Sequence, residues 1–222
     1  MRLVFGGTFD PVHVGHLQMA TELAGVMSSK FVYLMPCYQA VHKQGVAASA
    51  EQRFEMLKLS LSYHNSLRLD EREIARGKPS FTIDSLLEIR DEIADESLCF
   101  VMGMDTVQGI STWRSIDEFS ALTNLIVIER PNYQYVDEMN IGKKRGGEGG
   151  YEATLQTLGF ESVLSSGDLT SVKAGKYLTL KLSAVDVSSS MIRTMLEQGK
   201  SISQYVTGEV NEYICDNALY RS

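Results

Sequence analysis

His13 and His16 stand three residues apart, a spacing that puts both rings on one face of a helical turn. Gly6, Gly7 and Thr8 precede them, and Gly15 lies between them. Imidazole N–H groups and a threonine hydroxyl can donate to the oxygens of one phosphate, and glycines let a backbone approach such a ligand with no Cβ in the way. The chemistry this set suits is binding a triphosphate. The surrounding pattern agrees. Met1 to Phe5 is a short apolar run of strand character, and Val14, Leu17, Ala20, Ala24 and Met27 recur near the helical period. The loop therefore ends at a helix N-terminus, where first-turn N–H groups lack intrahelical partners and the helix dipole adds positive charge. His-x-Gly-His also fits a metal pair or two surface histidines. No third Cys, Asp or Glu stands nearby at a convincing ligand spacing, so no metal site is assigned.

A second stretch pairs hydroxyls with a cation. Ser188, Ser189 and Ser190 open a helix carried by Met191, Ile192, Met195 and Leu196, with Arg193 one turn in. Ordinary capping explains one serine; three serines and an arginine suit a second anion-binding helix end.

Between these stretches the chain alternates strand and helix signals. Phe31 to Pro36 is an apolar run closed by proline, and the loop after it carries His42 and Lys43. Ser49 and Gln52 form a capping-box pattern ahead of a helix with Phe54, Leu57 and Leu61 on one face. A strand is expected at Leu67 to Leu69, followed by a charged turn, and Thr82 reads as the N-cap of a helix with Ile83, Leu86, Leu87 and Ile93. Leu98 to Met102 is a buried strand that runs into Gly103 and Asp105. Ligands of open α/β sheets bind at the carboxyl ends of strands, which puts Asp105 on the rim of the first loop; a plain helix-capping role fits it equally well. Ser115 and Glu118 repeat the capping-box pattern, and Trp113, the single tryptophan, suits the core or a ligand platform. Asn124 to Ile128 is a further strand, which places Arg130 at another carboxyl end.

Residues 132–150 turn polar and glycine-rich around Lys143, Lys144 and Arg145, the composition of a solvated surface insert. A helix around Tyr151 to Leu158, a strand from Tyr177 to Leu180 and a final amphipathic helix from Val210 to Tyr220, covering the sheet, complete the reading. The whole predicts one α/β domain over residues 1–222, an open and mainly parallel sheet with helices on both faces and a helical part from about 188 to 222.

Composition bounds the function. The 222 residues are 44% hydrophobic, enough for a sizeable core, and no apolar run reaches the roughly 20 residues that span a bilayer. No charged leader with a long apolar stretch opens the chain, and Cys37, Cys99 and Cys215 show no C-x-x-C spacing, so a soluble cytoplasmic protein is expected. The net charge of −7 disfavours nucleic acid as a partner, as does the lack of a basic stripe interleaved with aromatics. Lys43, Arg130 and Arg193 can still gather a local field for a small anion.

Gly6-Gly-Thr-Phe-Asp-Pro-Val-His-Val-Gly-His16 closely resembles the signature of the nucleotidyltransferase superfamily, a Rossmann-like group. The resemblance implies adenylyl or cytidylyl transfer. It gives His13 and His16 contacts to the phosphates of a nucleoside triphosphate and to its pentavalent transition state, with Gly6, Gly7, Thr8, Phe9, Gly103 and Asp105 in the ATP site. Val187 to Arg193 resembles the superfamily's Ile-Ser-Ser-Thr-x-Ile-Arg motif, which implies that Ser188, Ser189 and Arg193 hold the β and γ phosphates. Val187 and Ser190 are conservative departures from it.

Asp70 to Glu73, Lys78 to Thr82, Gly103 to Asp105, Thr112-Trp113, Leu125 to Pro131 and Leu219-Tyr220 resemble the nicotinate-nucleotide adenylyltransferase family along nearly the whole chain. That likeness implies transfer from ATP, with its Mg²⁺, to the 5′-phosphate of nicotinate mononucleotide, releasing pyrophosphate. It implies that His42, Lys43 and Arg130 meet the mononucleotide, that Trp113 stacks on its pyridine ring, and that backbone donors near Phe81 and Thr82 meet its carboxylate. Lys43 joins His13, His16 and Arg193 in stabilising transferred charge. Ala40-Val41 stands where the family has Pro-Pro, and Phe81 where it has Tyr. Nicotinamide mononucleotide or phosphopantetheine as acceptor, or a nucleotide-binding regulator without turnover, are the alternatives; the oligomeric state is not legible.

Overall fold

The computed structural model describes residues 1–40, 45–129, 150–183 and 185–221. By its internal contacts the chain forms two compact units that alternate along the sequence. A loop unit holds residues 5–80 and 183–222, and a middle unit holds 1–4 and 81–182.

The chain opens with β1 (Arg2–Gly7), whose first residues belong to the middle unit and whose last belong to the loop unit. The loop unit continues with α1 (Val14–Val26), β2 (Val32–Pro36), β3 (Gln39–Ala40), α2 (Ala50–Ser60), β4 (Leu67–Leu69), α3 (Arg72–Arg76) and β5 (Pro79–Ser80). The middle unit follows with α4 (Thr82–Ile93), β6 (Leu98–Gly103), α5 (Met104–Val107), α6 (Phe119–Leu122), β7 (Asn124–Glu129), α7 (Gly150–Thr157), β8 (Glu161–Ser162), α8 (Ser166–Thr170) and β9 (Lys176–Lys181). The chain then returns to the loop unit for α9 (Ser189–Glu197) and α10 (Gly208–Asp216).

Strand order is β4-β2-β1 in the loop unit and β1-β6-β7-β9-β8 in the middle unit. The pairings β2 with β4, β6 with β7, and β9 with β7 and β8 are all parallel. Parallel neighbours need crossovers, and helices supply them, so this is the Rossmann-like α/β fold expected from the alternating signals. Residues 98–102 of β6 and 124–128 of β7 are buried without interruption. Side chains of a strand point to alternate faces, so such runs require cover on both faces of the sheet, the mark of a parallel sheet flanked by helices.

A buried arginine ties down each unit. Arg90 of α4 donates to the backbone carbonyls of Ala94, Glu96, Leu122 and Lys173. Arg53 of α2 is 1% exposed and donates to the carbonyls of Thr8 and Tyr38, each at 2.7 Å.

Several local expectations shift. The charged turn after β4 is the helix α3, stopped by Gly77, whose left-handed backbone (φ 61°) aims its N–H at Glu73 and Ile74 carbonyls. Phe81, in extended conformation, is the N-cap of α4, and Thr82 is its first helical residue. Ser115 makes no side-chain cap: its backbone is left-handed (φ 51°) and its carbonyl accepts from Glu118 in a tight turn. The helix expected to reach Tyr220 ends at Asp216, because Ala218 and Tyr220 take positive φ values of 48° and 60°. It packs against α2. The Ser49/Gln52 capping box forms as read from the sequence. Among the described residues no helix is long and apolar enough to cross a membrane. The glycine-rich basic insert, through residue 149, lies outside the described residues.

Candidate active site

The loop after β1 is shaped by Phe9. Its backbone is left-handed (φ 50°) and its ring is buried. The ring meets the edges of Phe5 and His16, with centroids 5.7 and 5.0 Å away. A Cβ on Gly7 would stand 2.8 Å from that ring, so glycine is required there for the ring to sit where it does. Arg53 holds the Thr8 carbonyl, and the Gly7 carbonyl accepts from Cys37 N–H at 3.0 Å. The Cys37 thiol is pushed up by burial, opposed by the nearby Arg53 charge, which keeps it a neutral packing group.

His13 is the N-cap of α1 and only 6% exposed. Its carbonyl accepts from the His16 and Leu17 amides, and its own N–H donates to His16 Nδ1 at 3.3 Å. This is a capping box with histidine in the role usually filled by Glu or Gln. It fixes the tautomer: with Nδ1 accepting, the ring proton of neutral His16 resides on Nε2, which is thereby the donor. The two imidazoles stack with centroids 3.6 Å apart and planes 24° apart. A Cβ at Gly15 would lie 3.0 Å from Val187 Cγ1 and 3.1 Å from the His13 ring, so this glycine lets the two motif stretches close on each other.

Both stretches indeed meet within the loop unit. Ser189 Oγ donates to the Pro11 carbonyl at 2.9 Å, and Arg193 Nη1 donates to the Asp10 carbonyl at 2.7 Å. Ser188 accepts from Met191 N–H as the N-cap of α9, and Arg193 Nη2 reaches Ser190 Oγ at 3.4 Å. All three serines therefore have structural partners here, more than capping alone supplies.

Asp10 is the residue that sequence reading did not single out. It is 3% exposed, and its carboxylate accepts from the Ala47 and Ala48 amides at 2.9 and 3.2 Å and from Tyr220 Oη at 2.7 Å. Arg193 Nη1 stands 3.7 Å from its Oδ2. Burial, then the Asp10 charge, push the Tyr220 hydroxyl far above the ordinary tyrosine range, so it remains a donor. Arg53 was also missed. The signal was present, since Arg53 shares the helical stripe of Met56, Leu57 and Ser60, and a charge on an apolar stripe needs buried partners.

In the middle unit, Gly103 ends β6 and is the N-cap of α5, with Asp105 exposed in that helix's first turn. Trp113 is half-buried, edge-on to Phe100 and Phe119 at 6.1 and 5.8 Å, between the core and platform readings. The next residue, Arg114, lies 4.9 Å over the Phe81 ring and pairs with Asp84 at 3.7 Å, which brings residues 81–84 and 113–114 together. His42, Lys43 and Arg130 lie outside the described residues. Among the described residues no group of three or more His, Cys, Asp or Glu gathers to hold a metal ion.

A stacked histidine pair at a helix N-terminus, on a parallel α/β sheet, defines a nucleotide-binding class, and comparison with known proteins narrows it. The cytidylyltransferase-like family model matches residues 4–195. A protein of Psychromonas ingrahamii named probable nicotinate-nucleotide adenylyltransferase is 35% identical over 97% of this chain and 95% of its own length. A protein of the same name from Cellvibrio japonicus is 35% identical over 98% and 97%. The solved nicotinic acid mononucleotide adenylyltransferase of Plasmodium falciparum, complexed with NaAD, superposes with a TM-score of 0.71 at 17% identity, covering 98% of this chain and 96% of that one, which shows a shared fold. The chain belongs to the cytidylyltransferase-like family, among its nicotinate-nucleotide adenylyltransferases.

Proposed function

We propose that this enzyme transfers the adenylyl group of ATP to the 5′-phosphate of nicotinate mononucleotide, forming nicotinate adenine dinucleotide and pyrophosphate as a step of NAD biosynthesis. The observation that carries the reading is the joining of the two motif stretches: α9 is tied to the Asp10-Pro11 backbone by Ser189 and Arg193, beside the stacked histidines. Family membership at this identity and coverage supports the same acceptor.

A phosphate oxygen of the mononucleotide, already ionised, attacks the α-phosphorus in line. The bond from that phosphorus to the bridging oxygen breaks, and pyrophosphate departs with the electron pair. No general base and no covalent enzyme intermediate is needed. The protein's task is to position two anions that repel each other and to stabilise charge building on the transferring and leaving groups. Magnesium enters as part of the substrate, on the triphosphate. In this reading His16 Nε2–H and His13 donate to the transferring phosphate, Arg193 neutralises the leaving pyrophosphate, and Lys43 with His42 and Arg130 holds the mononucleotide phosphate. Gly6, Gly7, Thr8, Phe9, Gly103, Asp105, Ser188 and Ser189 frame the ATP. Trp113 faces the pyridine ring, and the positive end of α4 at Thr82, beside Phe81, attracts its carboxylate.

The test is pyrophosphate release from MgATP with nicotinate mononucleotide, nicotinamide mononucleotide and phosphopantetheine offered separately. The expected result is a strong preference for the first. Preference for another acceptor keeps the phosphate chemistry and overturns the acceptor reading; ATP binding with no release in any case leaves a regulator.

A further inference from the structure

Resting on the adenylyl-transfer reading, we infer that Asp10, latched by Tyr220, is a positioning residue that sets Arg193 and the loop leading to His13 for catalysis. The argument starts from what a buried carboxylate requires. An ionised group removed from water must recover its hydration from fixed donors, and Asp10 recovers it from three donors in two segments far apart in sequence. The amides of Ala47 and Ala48 fix its two oxygens, and Tyr220 Oη adds the shortest bond, 2.7 Å. Thus oriented, the residue offers Arg193 two contacts: a hydrogen bond from Nη1 to its carbonyl and an ion pair at 3.7 Å to its carboxylate. A single nitrogen makes both, so the guanidinium plane follows the orientation of Asp10.

Tyr220 serves this contact at the expense of its own backbone. It sits at φ 60°, a region that a bulky residue rarely occupies, after Ala218 at 48°. Leu219 between them is buried, and its N–H bonds the Ile214 carbonyl, so the segment is anchored on α10 and the tyrosine is directed inward. Serine 189 fastens the next carbonyl, Pro11, in the same way. Arg193 is thereby aligned by Asp10 and Tyr220, which touch no substrate in the functional reading.

The experiment is a double-mutant cycle on the full chain. Tyr220→Phe removes one hydroxyl and should lower kcat about tenfold with little change in KM for nicotinate mononucleotide, the size expected of a misplaced catalytic group. In an Arg193→Ala background the same substitution should change kcat less than about twofold, because the group it positions is gone. Thermal midpoints are measured alongside, and rates are taken per folded enzyme well below them. Equal losses of kcat in both backgrounds, or a lowered midpoint with kcat unchanged, would show a purely structural role and overturn the inference. If Tyr220→Phe does not fold, Asp10→Asn supplies the same cycle, since it keeps the shape but turns one acceptor into a donor. An unaltered chain that releases no pyrophosphate overturns the functional reading and this inference with it; an active chain with additive variants overturns the inference alone.

Discussion

Arg53 and Arg90 make the same kind of contact in the two units and to different ends. Each lies on a helix and donates to backbone carbonyls from a buried site. Arg90 gathers the end of its own helix with the carbonyls of Leu122 and Lys173, none of them near a candidate site residue in sequence. Arg53 holds the carbonyl of Thr8, inside the motif loop itself. A buried guanidinium suits both tasks because its planar fork can satisfy several carbonyls at once. The difference teaches that burial and hydrogen bonding alone do not separate a residue that keeps the fold from one that shapes the chemistry; what the donor holds does.

Substitutions test that distinction. His16→Ala sets the upper limit, a group read as acting on the transition state, and should lower kcat about 10³-fold while the Kd for ATP moves little, as read from single-turnover and equilibrium titration. Equal losses in both would remove it from that role. Arg90→Met should destabilise the protein by about 4 kcal/mol in urea unfolding, since four carbonyls lose their donor, yet leave kcat per folded molecule within twofold. Arg53→Met should cost about 3 kcal/mol and lower kcat about tenfold as well. If Arg53→Met affected stability alone, the contrast between the two arginines would dissolve. Trp113→Ala in the middle unit should raise KM for nicotinate mononucleotide about tenfold, with KM for ATP unchanged. Ser49→Ala, removing the cap of α2, should cost about 1 kcal/mol and leave kinetics untouched.

The two motif stretches were legible because their chemistry is local: glycines, hydroxyls and histidines at fixed short spacings. The alternation of strands and helices was legible through burial, which is uninterrupted in β6 and β7. Asp10 lies inside the first motif, yet its role is not local. Its meaning depends on Ala47, Ala48, Arg193 and Tyr220, partners no local pattern reveals. The same holds for Ser189, which as a hydroxyl at a helix start reads as a cap or a phosphate donor, and here bonds the Pro11 carbonyl. Thr82 and Ser115 failed as caps for another reason. Capping preference is worth about 1 kcal/mol, and tertiary packing of Phe81 under Arg114, or a left-handed turn at Ser115, overrides it.

The partners of Asp10 also carry a consequence for the order in which the protein is made. The carboxylate is synthesised before Arg193 and Tyr220, which follow it by 183 and 210 residues. Until they emerge from the ribosome, burying Asp10 would leave a charge without its full set of donors, so the motif loop has reason to remain open and hydrated up to that point. The site would close only after both have emerged, and a chain stalled before residue 193 would carry the complete histidine motif without the arginine it is set against.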